Sequence, residues 1–171
     1  KYVNRIIFTD TDASYVGDIY NIDFDIIKPK KKNMFLNATR QLSNTLDGST
    51  DSPKIHQLFD IVQKGPFPAI IYSNFLTNGV YPIAKLLKVK TDLRIMHITG
   101  NTSEDKIKMV VNAYNKGLVD VLLLSSAGSE SLDLKNTRQI HIMEPHWNEP
   151  KITQVIGRAI RYKSHIGLPI E

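Results

Sequence analysis

From Pro68 onward the chain alternates short apolar runs with amphipathic stretches. Residues 69–73 are almost continuously apolar, the pattern of a strand covered on both faces. A helix is predicted over residues 76–87 and a strand over 94–98. Thr102 or Ser103 is placed to cap a helix that runs through Tyr114, and Asn115-Lys116-Gly117 stops it. Residues 119–124 form the most apolar strand, residues 140–143 the next, and a helix carrying Gln154 follows Pro150. Regular alternation of strand and helix predicts the α/β class: one domain with a central, mostly parallel sheet, right-handed crossovers and helices on both faces.

The first third reads less regularly. Residues 3–8 form a short strand, and residues 19–27 alternate apolar and polar positions as a further strand would. Lys28-Pro29-Lys30-Lys31-Lys32 reads as a solvated loop, with a phosphate-tracking patch as the functional alternative. A helix is predicted over residues 34–46 and a loop over 47–51. Ser52-Pro53 then starts a helix with Ser as N-cap and Pro in the first turn. Ile55, Leu58, Phe59 and Val62 are its buried stripe, and Gly65-Pro66 ends it. The expected division is an entry segment over residues 1–50 and the domain proper over residues 51–171.

Composition narrows the chemistry. The chain has 171 residues, enough for one domain with a sizeable core. It has no cysteine, which excludes disulfides, thiolate metal sites and a cysteine nucleophile. A net charge of +5 favours a polyanionic partner. No apolar run is long enough to cross a membrane, so no membrane partner is expected. The first residue is not Met and a strand begins almost at once, so a domain cut from a longer chain is expected.

In such sheets ligands bind beyond the carboxyl ends of the strands. Those ends carry Ser73-Asn74-Phe75, Thr99-Gly100-Asn101-Thr102, the run from Ser125 to Asp133, and the run from Glu144 to Asn148. Short hydroxyl side chains and glycine suit contact with successive phosphates, although the same residues also make ordinary turns. The stretch Gln154-Val155-Ile156-Gly157-Arg158-Ala159-Ile160-Arg161 adds charge. On a helix Gln154, Arg158 and Arg161 share one face, a planar donor array suited to a polyphosphate. Gly157 would let a backbone or nucleotide approach closely, at about 1 kcal/mol of helix propensity. A basic surface helix paired with carboxylates is the plainer reading. The chain holds no Gly-x-x-x-x-Gly-Lys-Ser/Thr phosphate loop and no acidic pair at a strand end for Mg²⁺. It can supply only one wall of a triphosphatase site.

These residues resemble the second RecA-like domain of superfamily 2 helicases and translocases. Residues 69–73 resemble motif IV, and Gly100-Asn101-Thr102-Ser103 with Tyr114-Asn115 resemble the segment after it in remodeller-type members. Residues 125–134 resemble motif V, and residues 154–161 resemble motif VI, entered through Pro145-His146-Trp147-Asn148-Glu149-Pro150. Arg161-Tyr162-Lys163-Ser164-His165, with Arg40-Gln41-Leu42-Ser43-Asn44 upstream, resembles helicases of large cytoplasmic DNA viruses. These are the poxvirus and asfarvirus type, including the early transcription factor ATPase subunit and nucleoside triphosphate phosphohydrolase I.

The resemblance implies ATP with Mg²⁺ as cofactor, bound mainly by an N-terminal RecA-like domain of the same chain. It implies Arg158 and Arg161 as arginine fingers and Gln154 as the residue that orients the nucleotide. Gly128, Glu130, Asp133 and Gly157 would serve the nucleotide side, with Asp133 also linking it to bound nucleic acid. Ser73, Asn74, Gly100, Thr102, Ser125 and Ser126 would contact the DNA backbone. Ser131 stands where the family usually has glycine. The implied partners are DNA and a viral RNA polymerase or transcription factor subunit, in the host cytoplasm and virion. A non-catalytic nucleic-acid-binding scaffold is the second reading. A nucleotide enzyme unrelated to nucleic acids is a third, and it leaves the arginine helix unexplained.

Overall fold

The computed structural model describes residues 4–7, 40–45, 48–127, 132–144 and 157. The strand expected over residues 19–27 and the lysine run after it lie outside these. Five strands form one parallel sheet: β1 (Asn4–Ile7), β2 (Ala69–Ser73), β3 (Ile95–Ile98), β4 (Val121–Ser125) and β5 (Gln139–Ile142), in the order β1-β5-β2-β4-β3. The edge strand β1 pairs with β5 from Asn4 opposite Gln139 to Ile7 opposite Ile142, so the sheet draws one strand from the N-terminal stretch.

Alternation along the central strands divides the core. Ala69, Ile71, Val121 and Leu123 face the helices α1 (Pro53–Val62) and α2 (Tyr81–Lys90), packing with Ile55, Leu58, Ile83 and Leu87. Ile70, Tyr72, Leu122, Leu124, Ile140 and Ile142 face the other way, onto Val110 and Tyr114 of α3 (Glu104–Asn115). Strands β2 and β4 are covered on both faces, which is why each reads as a near-continuous apolar run.

Two helices depart from the sequence reading. The helix expected over residues 76–87 is a π-helical turn, Leu76–Val80, followed by α2. Pro82 has no N–H to donate back along the helix, and Asn78 takes non-helical angles (φ −101°, ψ 21°), so one continuous α-helix cannot span the segment. In α3 neither expected residue caps by its side chain: Ser103 is the N-cap without such a bond. The Thr102 hydroxyl accepts instead from the Thr99 backbone N–H at 2.9 Å. The C-terminus of α3 behaves as expected, with Gly117 at φ +71° and the Leu118 N–H donating to the Ala113 carbonyl at 2.9 Å.

His141 is fully buried in β5, its Nε2 2.9 Å from Gln139 Oε1, while the Gln139 amide donates to the Pro66 carbonyl at 2.9 Å. Burial pushes the His141 pKa down from 6.5 to about 4. The unfolded chain therefore takes this proton first as pH falls, and stability is lost between those two values. The full loss is about 3 kcal/mol, complete below the folded value. Denaturant midpoints at neutral pH and near pH 4.5 should separate more for the wild type than for His141→Gln. Equal pH dependence of the two proteins would show that His141 does not carry this term.

Candidate functional site

Because the strands are parallel, their carboxyl ends meet at one edge. Ser73 of β2 is in register with Ser125 of β4, and Ile98 of β3 with Leu124, so the three ends are nearly level. Six residues singled out from the sequence gather there: Ser73, Asn74, Gly100, Thr102, Ser125 and Ser126. They are not equally accessible. Asn74, Thr102 and Ser126 are partly exposed and Gly100 is exposed, whereas Ser73 and Ser125 are buried.

Glu144, just past β5, organises the β2 end. Its side chain is buried, and its two oxygens receive four donors. Asn44 Nδ2 and Ser73 Oγ (2.6 Å) donate to Oε1, and the Asn74 backbone N–H (2.8 Å) and Nδ2 (3.2 Å) donate to Oε2. The Tyr72 hydroxyl donates to Asn74 Oδ1 at 3.0 Å, so both ends of the Asn74 amide are held. Burial raises the Tyr72 pKa, opposed by a hydrogen bond with Ser126 that ties the β2 and β4 ends together. Arg40 lies over the Phe75 ring at 5.7 Å from its centre. Burial lowers the Arg40 pKa, while the nearby Glu144 and Tyr72 oppose that shift.

The neighbouring ends are equally close-fitting. Thr99 and Thr102 close a tight turn, with the Thr102 N–H on the Thr99 carbonyl at 3.0 Å. A methyl group on Gly100 would come 2.9 Å from Ala127 Cβ, so the loops after β3 and β4 nearly touch. The π-helical turn packs beneath: a methyl on Gly79 would lie 2.0 Å from Ser73 Oγ. The result is a shallow edge of amide, hydroxyl and backbone groups, held by a dense polar network below it.

Asp133 is placed elsewhere. It is exposed, and its backbone carbonyl accepts from Asn115 Nδ2 at 2.9 Å, at the opposite end of α3 from Thr102. Asn115 Oδ1 also accepts the Lys135 N–H at 2.8 Å, so this one side chain clamps the irregular segment leading to β5. Gly157 is helical and exposed, and among the described residues nothing lies within 4 Å of the place a Cβ would take. Gly128, Glu130, Ser131, Gln154, Arg158 and Arg161 lie outside the described residues. Glu144 was visible as a strand-end residue but carried no assigned role, and Asn44, Arg40, Tyr72 and Gly79 were not singled out as site residues. Asn44 and Glu144 are 100 positions apart, so no local pattern joins them.

Among the described residues no group of His, Asp or Glu is arranged to hold a metal ion. Glu144 does not fit that task, since N–H and O–H donors fill both oxygens. Among the same residues no helix is long and apolar enough to cross a membrane.

Comparison with known proteins gives concordant results. Residues 53–163 match the family described as the helicase conserved C-terminal domain. The chain is 53% identical over 168 residues to a protein of Acanthamoeba polyphaga mimivirus assigned by name as an ATP-dependent RNA helicase. That match covers 98% of this chain and 38% of the relative. It is 26% identical over 198 residues to the termination factor NPH-I homolog of African swine fever virus, covering 86% of this chain and 28% of that protein. Among solved structures, the C-terminal part of the Fun30 ATPase domain superposes with a TM-score of 0.59 at 18% identity, over 71% of this chain and 39% of that one. The shared fold is the RecA-like α/β domain, and the chain spans well under half the length of either curated relative.

Proposed function

The chain belongs to the family of helicase conserved C-terminal domains, and from that premise we propose that it is the second RecA-like half of an ATP-dependent nucleic-acid helicase or translocase. The observation that carries the reading is the level edge formed by β2, β3 and β4. Asn74, Gly100, Thr102 and Ser126 present accessible amide, hydroxyl and backbone groups there, while Ser73 and Ser125 support them from below. Such groups position a sugar-phosphate backbone without reading its bases. The domain proper is assigned to residues 51–171, with residues 1–50 leading into it and lending its sheet the edge strand β1.

ATP and Mg²⁺ are assigned to an N-terminal RecA-like half, which supplies the phosphate loop and metal carboxylates. Arg158 and Arg161 reach across to the γ-phosphate, Gln154 orients the nucleotide, and Gly128, Glu130, Asp133 and Gly157 serve the nucleotide side. The relatives from large viruses support a role in viral transcription or replication in the host cytoplasm, with a polymerase or transcription factor subunit as partner. The name of the African swine fever virus protein favours transcription. A relative's name points to RNA, whereas the sequence reading favours DNA, so the binding test uses both.

In the full-length protein, binding to labelled duplex DNA and duplex RNA should weaken linearly on a log–log salt plot. The slope on DNA should be about −0.9 for each phosphate neutralised. Affinity that ignores salt, or that depends steeply on base sequence, would contradict backbone binding.

A further inference from the structure

We propose that Glu144 is the positioning residue of the nucleic-acid edge, holding Asn74 ready for a phosphodiester backbone by acting as an acceptor and not as a charge. This rests on the reading of the β2 end as a backbone contact. Asn74 is the partly exposed residue of the β2 end whose side chain is held at both ends, by the Tyr72 hydroxyl on Oδ1 and by Glu144 on Nδ2. Its backbone N–H is held by the same carboxylate at 2.8 Å. A carboxylate used as a ligand for a cation or substrate keeps an oxygen free, and Glu144 keeps neither. Its other oxygen receives Asn44 and Ser73, so the loop after β2 is set relative to the helical residues 40–44 as well as to its own strand.

An acceptor role and a charge role predict different responses to substitution. In Glu144→Gln one oxygen still accepts from Asn74. The new NH₂ can meet Asn44, whose buried Oδ1 has no hydrogen-bond partner among the described residues and comes into place when that amide turns over. Ser73 can then donate to the Phe75 carbonyl, already 3.1 Å away. Glu144→Ala removes the acceptor, leaving the Asn74 amide without the group that fixes it. Glu144→Asp keeps the charge but withdraws it by one methylene.

The test measures affinity of the full-length protein for fluorescein-labelled duplex DNA and duplex RNA, at fixed salt and below the melting temperature of every variant. Glu144→Ala should bind about tenfold more weakly and Glu144→Asp about threefold, while Glu144→Gln stays within about twofold of wild type. Asn74→Ala should lose about as much as Glu144→Ala, and the double variant should lose no more than the weaker-binding single one. Loss with one nucleic acid alone assigns the edge to that source of phosphodiester. Three outcomes would overturn the proposal with the backbone reading intact: Asn74→Ala weakened but Glu144→Ala unchanged, losses that multiply in the double variant, or Glu144→Gln as weak as Glu144→Ala. Wild-type affinity in Asn74→Ala would instead overturn the reading of the β2 end itself. If Glu144→Ala does not fold, Glu144→Asp takes its place in the same cycle.

Discussion

Gly79→Ala should destabilise the domain by about 3 kcal/mol, an upper-range value for overpacking a filled site. The new methyl would lie 2.0 Å from Ser73 Oγ and 2.9 Å from Ser73 Cβ, closer than carbon and oxygen approach without something moving. The Ser73 Cβ cannot swing away, because its strand is the middle of the sheet, paired with β4 on one side and β5 on the other. The hydroxyl cannot rotate away without leaving Glu144. The π-helical turn must therefore lift off β2, taking Val80 out of the core and loosening the Asn78 Nδ2 bond to the Thr45 carbonyl. Gly117→Ala is the control. That glycine has φ +71° and open space around it, so its variant pays only the left-handed backbone cost of about 1 kcal/mol. Denaturant unfolding of both variants checks the difference, and equal losses would mean the turn does not sit against Ser73 as described.

The same packing explains what the sequence disclosed and what it hid. Residues 69–73 were legible as a strand to the residue because both faces of β2 are covered, so every position had to be apolar or small. Strand β3 begins at Ile95, one residue after the expected Arg94. The Arg94 backbone N–H and guanidinium are bound by the Asp120 carboxylate (2.8, 2.9 and 2.6 Å), an exposed pair that an apolar pattern cannot show. Strand β5 is displaced the other way, starting at Gln139, because a buried glutamine whose amide is satisfied by Pro66 and His141 reads as polar in sequence. Pro82 is a sequence signal of the broken helix, set among leucine, valine and isoleucine residues that favour helical burial. The site was legible as a set of strand ends. The carboxylate that binds its parts was not, since Glu144 meets Ser73 and Asn74 from 71 and 70 positions away.

On the proposed function, this chain provides the arginine wall of an ATP site whose other half lies in the rest of the protein. Arg158→Ala or Arg161→Ala in the full-length protein should lower nucleic-acid-stimulated ATP turnover by about 10³-fold or more, the scale of an arginine finger in phosphoryl transfer. A guanidinium at the γ-phosphate acts on charge that develops in the transition state, so the loss falls on turnover and not on ATP binding. Lysine should rescue poorly, because a point charge does not reproduce planar, bidentate recognition. An arginine that only holds the helix in place behaves differently, lowering the melting temperature and reducing activity in proportion to the unfolded fraction. The most direct measurement is therefore turnover and melting temperature on the same preparations of wild type, Arg158→Ala and Arg161→Ala. Arginine fingers give collapsed turnover with unchanged melting in both variants, and normal turnover in both would show that this helix is not the catalytic wall.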